Sequence, residues 1–309
     1  MSSANGSGPA ATPGAAEYAL LFAVSLTWGS SYMFTKIAVS EIPPITLIAM
    51  RTGIAAVVMS AILAFSGRMT RLSWREAGIF ALIGLMVNAA PLCLIAISVS
   101  FVDSSVTATT MALVPLITAV LAILRGDRPT SRNVAGIAVG LVGIVVLFGP
   151  RALAGLGDSA MGAVAAITAA VVFAASLFVS GLARRHHPLL VATASLVSAA
   201  LWTIPIALLS DGLPLVAPEP RVIGAIVVLA LLNTAAASLL VFALVGRTGP
   251  TFTALNNYLV PVVAVAFGSG FLGEAFTVQK TVGVVLVLAG VAISSIRRKP
   301  VVIVPPPPA

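Results

Sequence analysis

Charge is what this sequence has least of. Charged residues make up only 8% of the 309-residue chain, whereas hydrophobic residues make up 59% and the mean hydropathy is +1.12. A soluble domain carries about 25% charged residues. So little polar material could not cover a globule in water, which excludes the soluble classes. The composition predicts a helical protein embedded in a lipid bilayer.

Cysteine and histidine are also scarce. The one cysteine, Cys93, excludes an intramolecular disulfide and a cysteine-based metal site. The two histidines, His186 and His187, are adjacent in a basic turn, which argues against a multi-histidine metal centre. The net charge of +8 is spread along the chain, with Arg297–Lys299 as its one run, so it does not indicate nucleic-acid binding. We expect no metal, no other cofactor and no nucleic-acid partner.

Long apolar runs fill the rest of the sequence. About 20 apolar residues are needed to cross about 30 Å of hydrocarbon. Proline, glycine and charged clusters divide the chain into ten predicted spans joined by short loops. The predicted spans are residues 18–38, 44–66, 77–98, 104–125, 132–148, 160–182, 188–209, 222–245, 251–272 and 277–296. Residues 1–16 are predicted to be a disordered tail, and residues 299–309 a proline-rich tail.

The basic residues predict the orientation of these spans. With a cytoplasmic N-terminus, twelve basic residues fall on the inner side and four on the outer side. The inner set is Arg68, Arg71, Arg75, Arg125, Arg128, Arg132, Arg184, Arg185, Arg247, Arg297, Arg298 and Lys299, and the outer set is Lys36, Arg151, Arg221 and Lys280. Because Lys and Arg concentrate in cytoplasmic loops, we expect a multi-pass protein of the bacterial inner membrane with both termini in the cytoplasm.

The two halves of the sequence resemble each other at a separation of 145 to 147 residues. The recurring features are Thr107 and Pro115 with Thr253 and Pro261, Gly126-Asp127 with Gly273-Glu274, Gly136 and Gly143 with Gly283 and Gly290, and Pro43 with Pro188. Because five spans is an odd number, the second half would enter the membrane upside down. The predicted fold is therefore an all-α polytopic membrane protein of two inverted five-helix repeats, residues 17–150 and 151–298. Inverted repeats are characteristic of transporters.

Short motifs in this order resemble the drug/metabolite transporter superfamily, specifically its ten-helix EamA-type exporters. They are Trp28-Gly29-Ser30-Ser31 with Lys36, Pro43 with Arg51, and the modules Pro115…Asp127 and Pro261…Glu274. The sequence departs from the family at Asp127, where a glutamate is usual. The resemblance implies transport of metabolites, often export of amino acids or related compounds, through a cavity between the halves.

Three other functions stay open at this point. Uptake of a sugar or sugar derivative is an alternative within the transporter class, and a passive channel is an alternative outside it. An intramembrane enzyme is disfavoured because the sequence has neither His-Glu-x-x-His nor Gly-x-Ser-x-Gly. We expect a transporter and not an enzyme.

The fourth and ninth spans carry the first candidate substrate-binding residues. Pro115 and Pro261 lie near mid-span, and each removes a backbone hydrogen bond and frees the carbonyl four residues earlier, at Met111 and Asn257. Such breaks are tolerated where the backbone lines a cavity. The polar candidates before the prolines are Thr107, Thr110, Thr253, Asn256, Asn257 and Tyr258. Alternatively, the prolines only kink their helices and the hydroxyls bond to their own helix.

Further polar candidates lie in other spans. Asn88 corresponds under the repeat to Asn233 and Thr234, and these residues either join helices or line the cavity. Arg51 and Lys36 either extend to the membrane surface or give an outward-facing cavity positive potential, for which a substrate carboxylate would be the counter-ion.

Aromatic and small residues complete the predictions. Trp28 and Tyr32 share one face of the first span, and they either pack against another helix or form a wall for an apolar or aromatic substrate. The glycines at 136, 140 and 143, and those at 283 and 290, are assigned to helix packing or to a homodimer interface. All nine acids fall at span ends or in loops, which favours facilitated diffusion or exchange over proton coupling, with Glu17 and Glu274 as the nearest proton-carrier candidates.

Overall fold

The computed structural model describes residues 13–102, 104–126, 130–148, 160–212, 218–271 and 277–295. Within these ranges the secondary structure is entirely helical, and the helices form ten segments, which we number α1 to α10. The segments of the first half are α1 (Ala15–Ala38), α2 (Pro44–Phe65), α3 (Trp74–Ile83, Gly84–Ala89 and Ala90–Phe101), α4 (Ser104–Met111 and Val114–Leu124) and α5 (Ser131–Phe148). Those of the second half are α6 (Ala160–Ser180 and Gly181–Ala183), α7 (Pro188–Ser210), α8 (Pro220–Ala230, Leu231–Ala236 and Ala237–Thr248), α9 (Pro250–Ala254 and Asn256–Phe271) and α10 (Val278–Ser295).

Five of the described helices are long and apolar enough to cross a membrane. They are Pro44–Phe65, Trp74–Phe101, Ala160–Ala183, Pro188–Ser210 and Pro220–Thr248. Three shorter apolar helices accompany them, at Val114–Leu124, Ser131–Val146 and Thr281–Ser294. The chain is therefore a multi-pass helical membrane protein.

Local sequence signals set several helix starts. Proline occupies the first position of Pro44–Phe65, Pro188–Ser210, Pro220–Ala230 and Pro250–Ala254, where its missing N–H leaves no bond unmade. At the start of α3, Ser73 and Glu76 form a capping box: the Glu76 amide donates to Ser73 Oγ (3.3 Å) and the Ser73 amide donates to Glu76 Oε2 (2.8 Å).

Two helices contain a π-helical turn at corresponding places. Gly84–Ala89 in α3 and Leu231–Ala236 in α8 begin 147 residues apart, which is a repeat separation found in the sequence. A π-turn leaves backbone groups out of the regular α-helical ladder and is frequent at functional sites. Each turn carries one of the predicted asparagines, Asn88 or Asn233.

The helix interruptions differ from the prediction in α9. In α4 the helix stops at Met111 and restarts at Val114, so the break lies directly before Pro115, as predicted. In α9 the break lies at Leu255, and Pro261 is inside the continuous helix Asn256–Phe271. A proline can sit within a helix of a packed bundle because neighbouring groups compensate the missing bond. Pro261 is therefore not the point of interruption.

The glycine stripes pack helices against each other within one chain. A Cβ at Gly136 would lie 2.4 Å from the Ser294 backbone nitrogen, and a Cβ at Gly143 would lie 2.6 Å from the Val287 backbone nitrogen. The same holds from the side of α10, because a Cβ at Gly290 would lie 2.4 Å from the backbone nitrogen of Gly140. The α5 and α10 backbones are thus in direct contact, and these stripes are not free for a homodimer interface.

Helix packing follows the same pattern in both halves. α5 packs on α10, and α2 packs on α7. α1 contacts α8 and α9, whereas α6 contacts the corresponding helices of the first half, α3 and α4. Likewise α7 packs on the π-turn of α3, and α2 packs on the π-turn of α8. Each of these contacts between halves therefore has a counterpart in which the halves are exchanged.

Candidate functional site

A central cavity lies between helices of both halves. Its wall comes from α1, α2, α3 and α4 of the first half and from α6, α8 and α9 of the second. The polar lining residues are Trp28, Ser31, Tyr32, Thr35, Arg51, Asn88, Asn233, Thr234, Ser238 and Asn257. The remainder of the wall is apolar and is dominated by α3, with Val87, Pro91, Leu92, Ile95, Ala96 and Val99. The cavity is thus an apolar hollow with a cluster of polar groups.

Arg51 supplies the positive charge of the cavity. It is 3% exposed, its Nε donates to the Thr234 hydroxyl, and its Nη2 donates to the Asn233 carbonyl at 2.9 Å. Both partners belong to the π-turn of α8, so the non-α-helical turn provides acceptors for the guanidinium. Both partners are neutral, so they do not compensate the positive charge of Arg51.

The ion pairs of the described residues all lie at helix ends, away from Arg51. They join Glu76 to Arg185 and His186, Glu219 to Arg221, and Glu17 to Arg247. A buried charge requires compensation, because transfer of an ion from water to a low-dielectric interior is costly. An anion in the cavity would provide it.

The two π-turn asparagines join helices and also border the cavity. Asn88 Nδ2 donates to Ser195 Oγ (3.3 Å), and Ser238 Oγ donates to Asn88 Oδ1 (3.3 Å). Asn233 Nδ2 donates to the Thr27 carbonyl and to Ser30 Oγ (2.9 Å) of α1. Both alternatives raised by the sequence therefore hold for each asparagine.

The predicted aromatic face of α1 lies in the cavity wall. Trp28 and Tyr32 are both half-buried there. The Trp28 ring meets the Phe173 ring of α6 edge to face, with 5.3 Å between the ring centroids.

Most candidates of α4 and α9 lie outside the cavity wall. Thr107 Oγ1 shares a 2.8 Å hydrogen bond with Ser98 Oγ, and Thr253 Oγ1 donates to the Gly249 carbonyl of its own helix. The Tyr258 hydroxyl donates to the Ile137 carbonyl (3.0 Å), and its ring packs on Gly140. The structure does not bring these side chains into the cavity, because their helix faces turn toward neighbouring helices.

The other predicted residues have mixed positions. Asn257 lines the cavity, and its Nδ2 donates to the Ala254 carbonyl (3.2 Å). Asn256 is buried next to it but accepts a hydrogen bond from Ser25 Oγ (2.8 Å) at the contact of α9 with α1. Thr110 is buried outside the cavity wall. The Lys36 side chain, Asp127 and Glu274 lie outside the described parts of the chain.

Several cavity residues were missed by the sequence reasoning. Phe173 and the apolar residues of α3 are hydrophobic side chains within hydrophobic helices, so nothing in the sequence distinguishes them from their neighbours. The repeat could have found Phe173, which follows Trp28 by 145 residues, the separation of Pro43 and Pro188. Thr234, a candidate together with Asn233, lines the cavity, but nothing in the sequence indicates that its hydroxyl accepts from Arg51.

A multi-pass helical protein with a partly polar cavity between similar halves has the architecture of a membrane transporter. The chain belongs to the EamA-like transporter family, whose sequence model matches residues 15–149 and 160–296. This confirms the resemblance to the drug/metabolite transporters.

Curated relatives cover nearly the whole chain. An uncharacterized transporter of Archaeoglobus fulgidus is 23% identical over 90% of this chain and 99% of its own. The transporter YoaV of Bacillus subtilis is 21% identical over 90% and 97%, and the inner membrane transporter YedA of Escherichia coli K12 is 29% identical over 84% of both.

A solved crystal structure shares the fold. It superposes with a TM-score of 0.75 at 22% sequence identity and covers 91% of this chain and 97% of its own. The family and the names of these relatives make this chain a membrane transporter.

Proposed function

We propose that the chain is a secondary transporter that moves small carboxylate-bearing metabolites, amino acids or related compounds, outward by alternating access. The single observation that carries this proposal is Arg51, a buried cation that lines a cavity shared by both halves and has neutral hydrogen-bond partners. A carboxylate is the natural counter-ion, since a guanidinium binds it with two parallel hydrogen bonds.

Alternating access requires two halves that can rock around a common site. The proposed halves are the inverted repeats at residues 17–150 and 151–298. Three observations support them: the paired π-turns, the exchange symmetry of the helix contacts, and the two stretches matched by the family model. The cavity lies between these halves and draws its wall from both.

The shape of the cavity favours an organic acid with an apolar part over a sugar. Leu92, Ile95 and Val99 form an aliphatic wall, and Trp28 and Phe173 add aromatic faces. A sugar would need many hydrogen-bond partners, but the lining side chains Asn88, Asn233 and Ser238 already bond within the protein, and the aliphatic wall supplies no further partners. The sugar importer is therefore the weaker candidate.

The proposed placement is the bacterial inner membrane with both termini in the cytoplasm. The relative YedA is named as an inner membrane transporter, and the basic residues favour this orientation. Glu17, a proton-carrier candidate, bonds Arg247 at a helix end (3.4 Å), so facilitated diffusion or exchange remains the proposed mode.

A binding screen with matched compounds tests the carboxylate. Purified protein is heated with amino acids, aromatic and aliphatic acids, the corresponding carboxamides, sugars and nucleosides. A compound that binds the native state raises the Tm. We expect shifts from carboxylates and none from their amides, and Arg51→Gln should abolish the shifts. Equal shifts from acid and amide, or shifts retained in Arg51→Gln, would contradict the proposal, and shifts from sugars alone would favour the importer.

The control variant is Arg221→Gln. Arg221 is exposed at the start of α8 and pairs with Glu219, far from the cavity lining. The Arg221→Gln variant removes one positive charge, as Arg51→Gln does, but leaves the cavity unchanged. It should therefore leave the Tm shifts caused by carboxylates unchanged.

A further inference from the structure

A second groove lies on the outside of the bundle, between the end of α2, the start of α3 and the first two-thirds of α7. The groove begins at Met69 and Leu72 of the loop that joins α2 to α3, and it runs along α7 from Leu190 to Trp202. Twelve residues of α-helix rise about 18 Å, which is close to the depth of one leaflet of a bilayer with about 30 Å of hydrocarbon.

The groove is apolar although it contains hydroxyl side chains. Thr193 Oγ1 donates to the Leu189 carbonyl at 2.8 Å, and Ser198 Oγ donates to the Ala81 carbonyl at 3.0 Å. Their hydrogen atoms are thus bound to backbone acceptors. Apart from Thr70 at the mouth, the rest of the lining is apolar, with Leu63, Phe80 and Leu201 among it. Such a channel suits a hydrocarbon chain.

The mouth of the groove is basic. Arg68 and Arg71 lie in the joining loop on either side of Met69, and Arg75 is in the first turn of α3. All three are exposed, and none takes part in the ion pairs of the described residues. Glu76, the acid nearest in sequence, is already bonded to Arg185, His186 and Ser73.

We propose that this groove binds one acyl chain of an anionic phospholipid whose phosphate lies against Arg68, Arg71 and Arg75. Basic clusters beside transmembrane helices recognise anionic headgroups, and here the cluster lies at the entrance of a groove one leaflet deep. In the proposed orientation, this is the cytoplasmic leaflet. The site is separate from the central cavity, so its test is independent of the transported substrate.

Tryptophan fluorescence reports occupancy, because Trp202 lines the deep end of the groove and is 44% exposed. The full chain is reconstituted in phosphatidylcholine vesicles that contain a small fraction of phosphatidylglycerol with brominated acyl chains, which quench a tryptophan they touch. The difference between wild type and Trp202→Phe isolates the Trp202 signal. We expect quenching that saturates at a low fraction of brominated phosphatidylglycerol, and weaker, non-saturating quenching with brominated phosphatidylcholine.

Two variants assign the parts of the site. The triple variant Arg68→Gln, Arg71→Gln, Arg75→Gln should move the quenching midpoint to a roughly tenfold or higher lipid fraction, since one basic residue near the surface contributes about fivefold. Val197→Trp should fill the groove and release the phosphatidylglycerol. The lipid that remains bound to the protein in native mass spectrometry measures this release. The matched controls are Arg132→Gln, exposed at the start of α5, and Val164→Trp, exposed on α6.

Each alternative result overturns the proposal. Equal quenching by the two lipids in wild type would show no headgroup preference. This measurement uses wild-type protein alone, so it does not depend on whether a variant folds. A preference that survives the triple variant would place the phosphate elsewhere. Inorganic phosphate should compete with the brominated lipid in wild type more strongly than in the triple variant. Equal competition in the two proteins would contradict a phosphate site at the three arginines.

Discussion

Trp28 of α1 and Phe173 of α6 face each other in the cavity wall, edge to face, with their ring centroids 5.3 Å apart. They are 145 residues apart in the sequence, and their helices correspond under the repeat. The pair therefore joins equivalent positions of the two halves, and a rocking motion of the halves would change this contact.

We expect the two rings to be coupled in binding. An edge-to-face pair contributes about 0.5–1.5 kcal/mol beyond its buried area. Trp28→Leu and Phe173→Leu should each weaken carboxylate binding, and the double variant should lose less than the two single losses added together. Ligand titrations of all four proteins measure this coupling. Trp74→Leu is the control, since Trp74 is 96% exposed at the start of α3. Strict additivity would place the rings in separate roles.

Transport of a carboxylate that carries no other charge should be electrogenic. Arg51 is fixed in the wall by Thr234 and Asn233, so the moving charge is that of the substrate. A potential of about 100 mV is worth about 2.3 kcal/mol for one charge, or roughly fiftyfold in a concentration ratio. Proteoliposomes with an imposed potassium diffusion potential should accumulate the anion on the positive side.

A zwitterionic amino acid is the internal control for this measurement. It has no net charge, and its distribution should not respond to the potential. Anion flux that is equally insensitive would mean that a counter-charge moves with the substrate, and the exchange or proton-coupled modes would then replace simple diffusion.

Two glycines should respond to alanine in opposite directions. A Cβ at Gly136 would lie 2.4 Å from the Ser294 backbone nitrogen, whereas a Cβ at Gly224 would meet nothing within 4 Å. Gly136→Ala should lower stability by about 1–3 kcal/mol through overpacking. Gly224→Ala should raise it by up to about 1 kcal/mol through helix propensity. Thermal unfolding in detergent checks both, and a tolerated Gly136→Ala would contradict the close contact of α5 with α10.

Asn233 should matter for stability and for binding together. Its side chain donates to Thr27 and Ser30 of α1, and its carbonyl accepts from Arg51. Asn233→Ala should cost about 1–2 kcal/mol, the scale of hydrogen bonds between membrane helices, and should weaken carboxylate binding by loosening the π-turn. Thr281→Ala is the control, since the exposed Thr281 hydroxyl donates to the Thr277 carbonyl of its own helix end. Lost stability with unchanged affinity would leave Asn233 a packing role alone.

Polar residues in apolar spans were the informative signal in the sequence. Arg51, Asn88, Asn233 and Asn257 are costly in a membrane, which predicts that they face protein or a cavity, and all four line the cavity. The same rule cannot separate a cavity from a helix contact. Tyr258 is equally polar and mid-span, yet its hydroxyl bonds Ile137 between helices.

The apolar wall could not be predicted for a different reason. Leu92 and Ile95 look like any residue of a membrane helix, and their position depends on how α3 is rotated about its axis. The π-turns contribute to that rotation, and they have no marked sequence signature beyond the asparagines. The sequence likewise has no signal for the helix break at Leu255, whereas Pro115 indicates the break in α4.

Accessibility of Ser31 from the two sides of the membrane tests alternating access most directly. Ser31 lines the cavity, and Cys93 is the one native thiol, so Ser31→Cys in a Cys93→Ser background gives a single reporter. A membrane-impermeant thiol reagent is added to one side of proteoliposomes that hold a trapped thiol dye. We expect the cavity cysteine to react from either side while the trapped dye stays unmodified. Reaction from one side only under all conditions, or modification of the trapped dye through an open pore, would contradict the account.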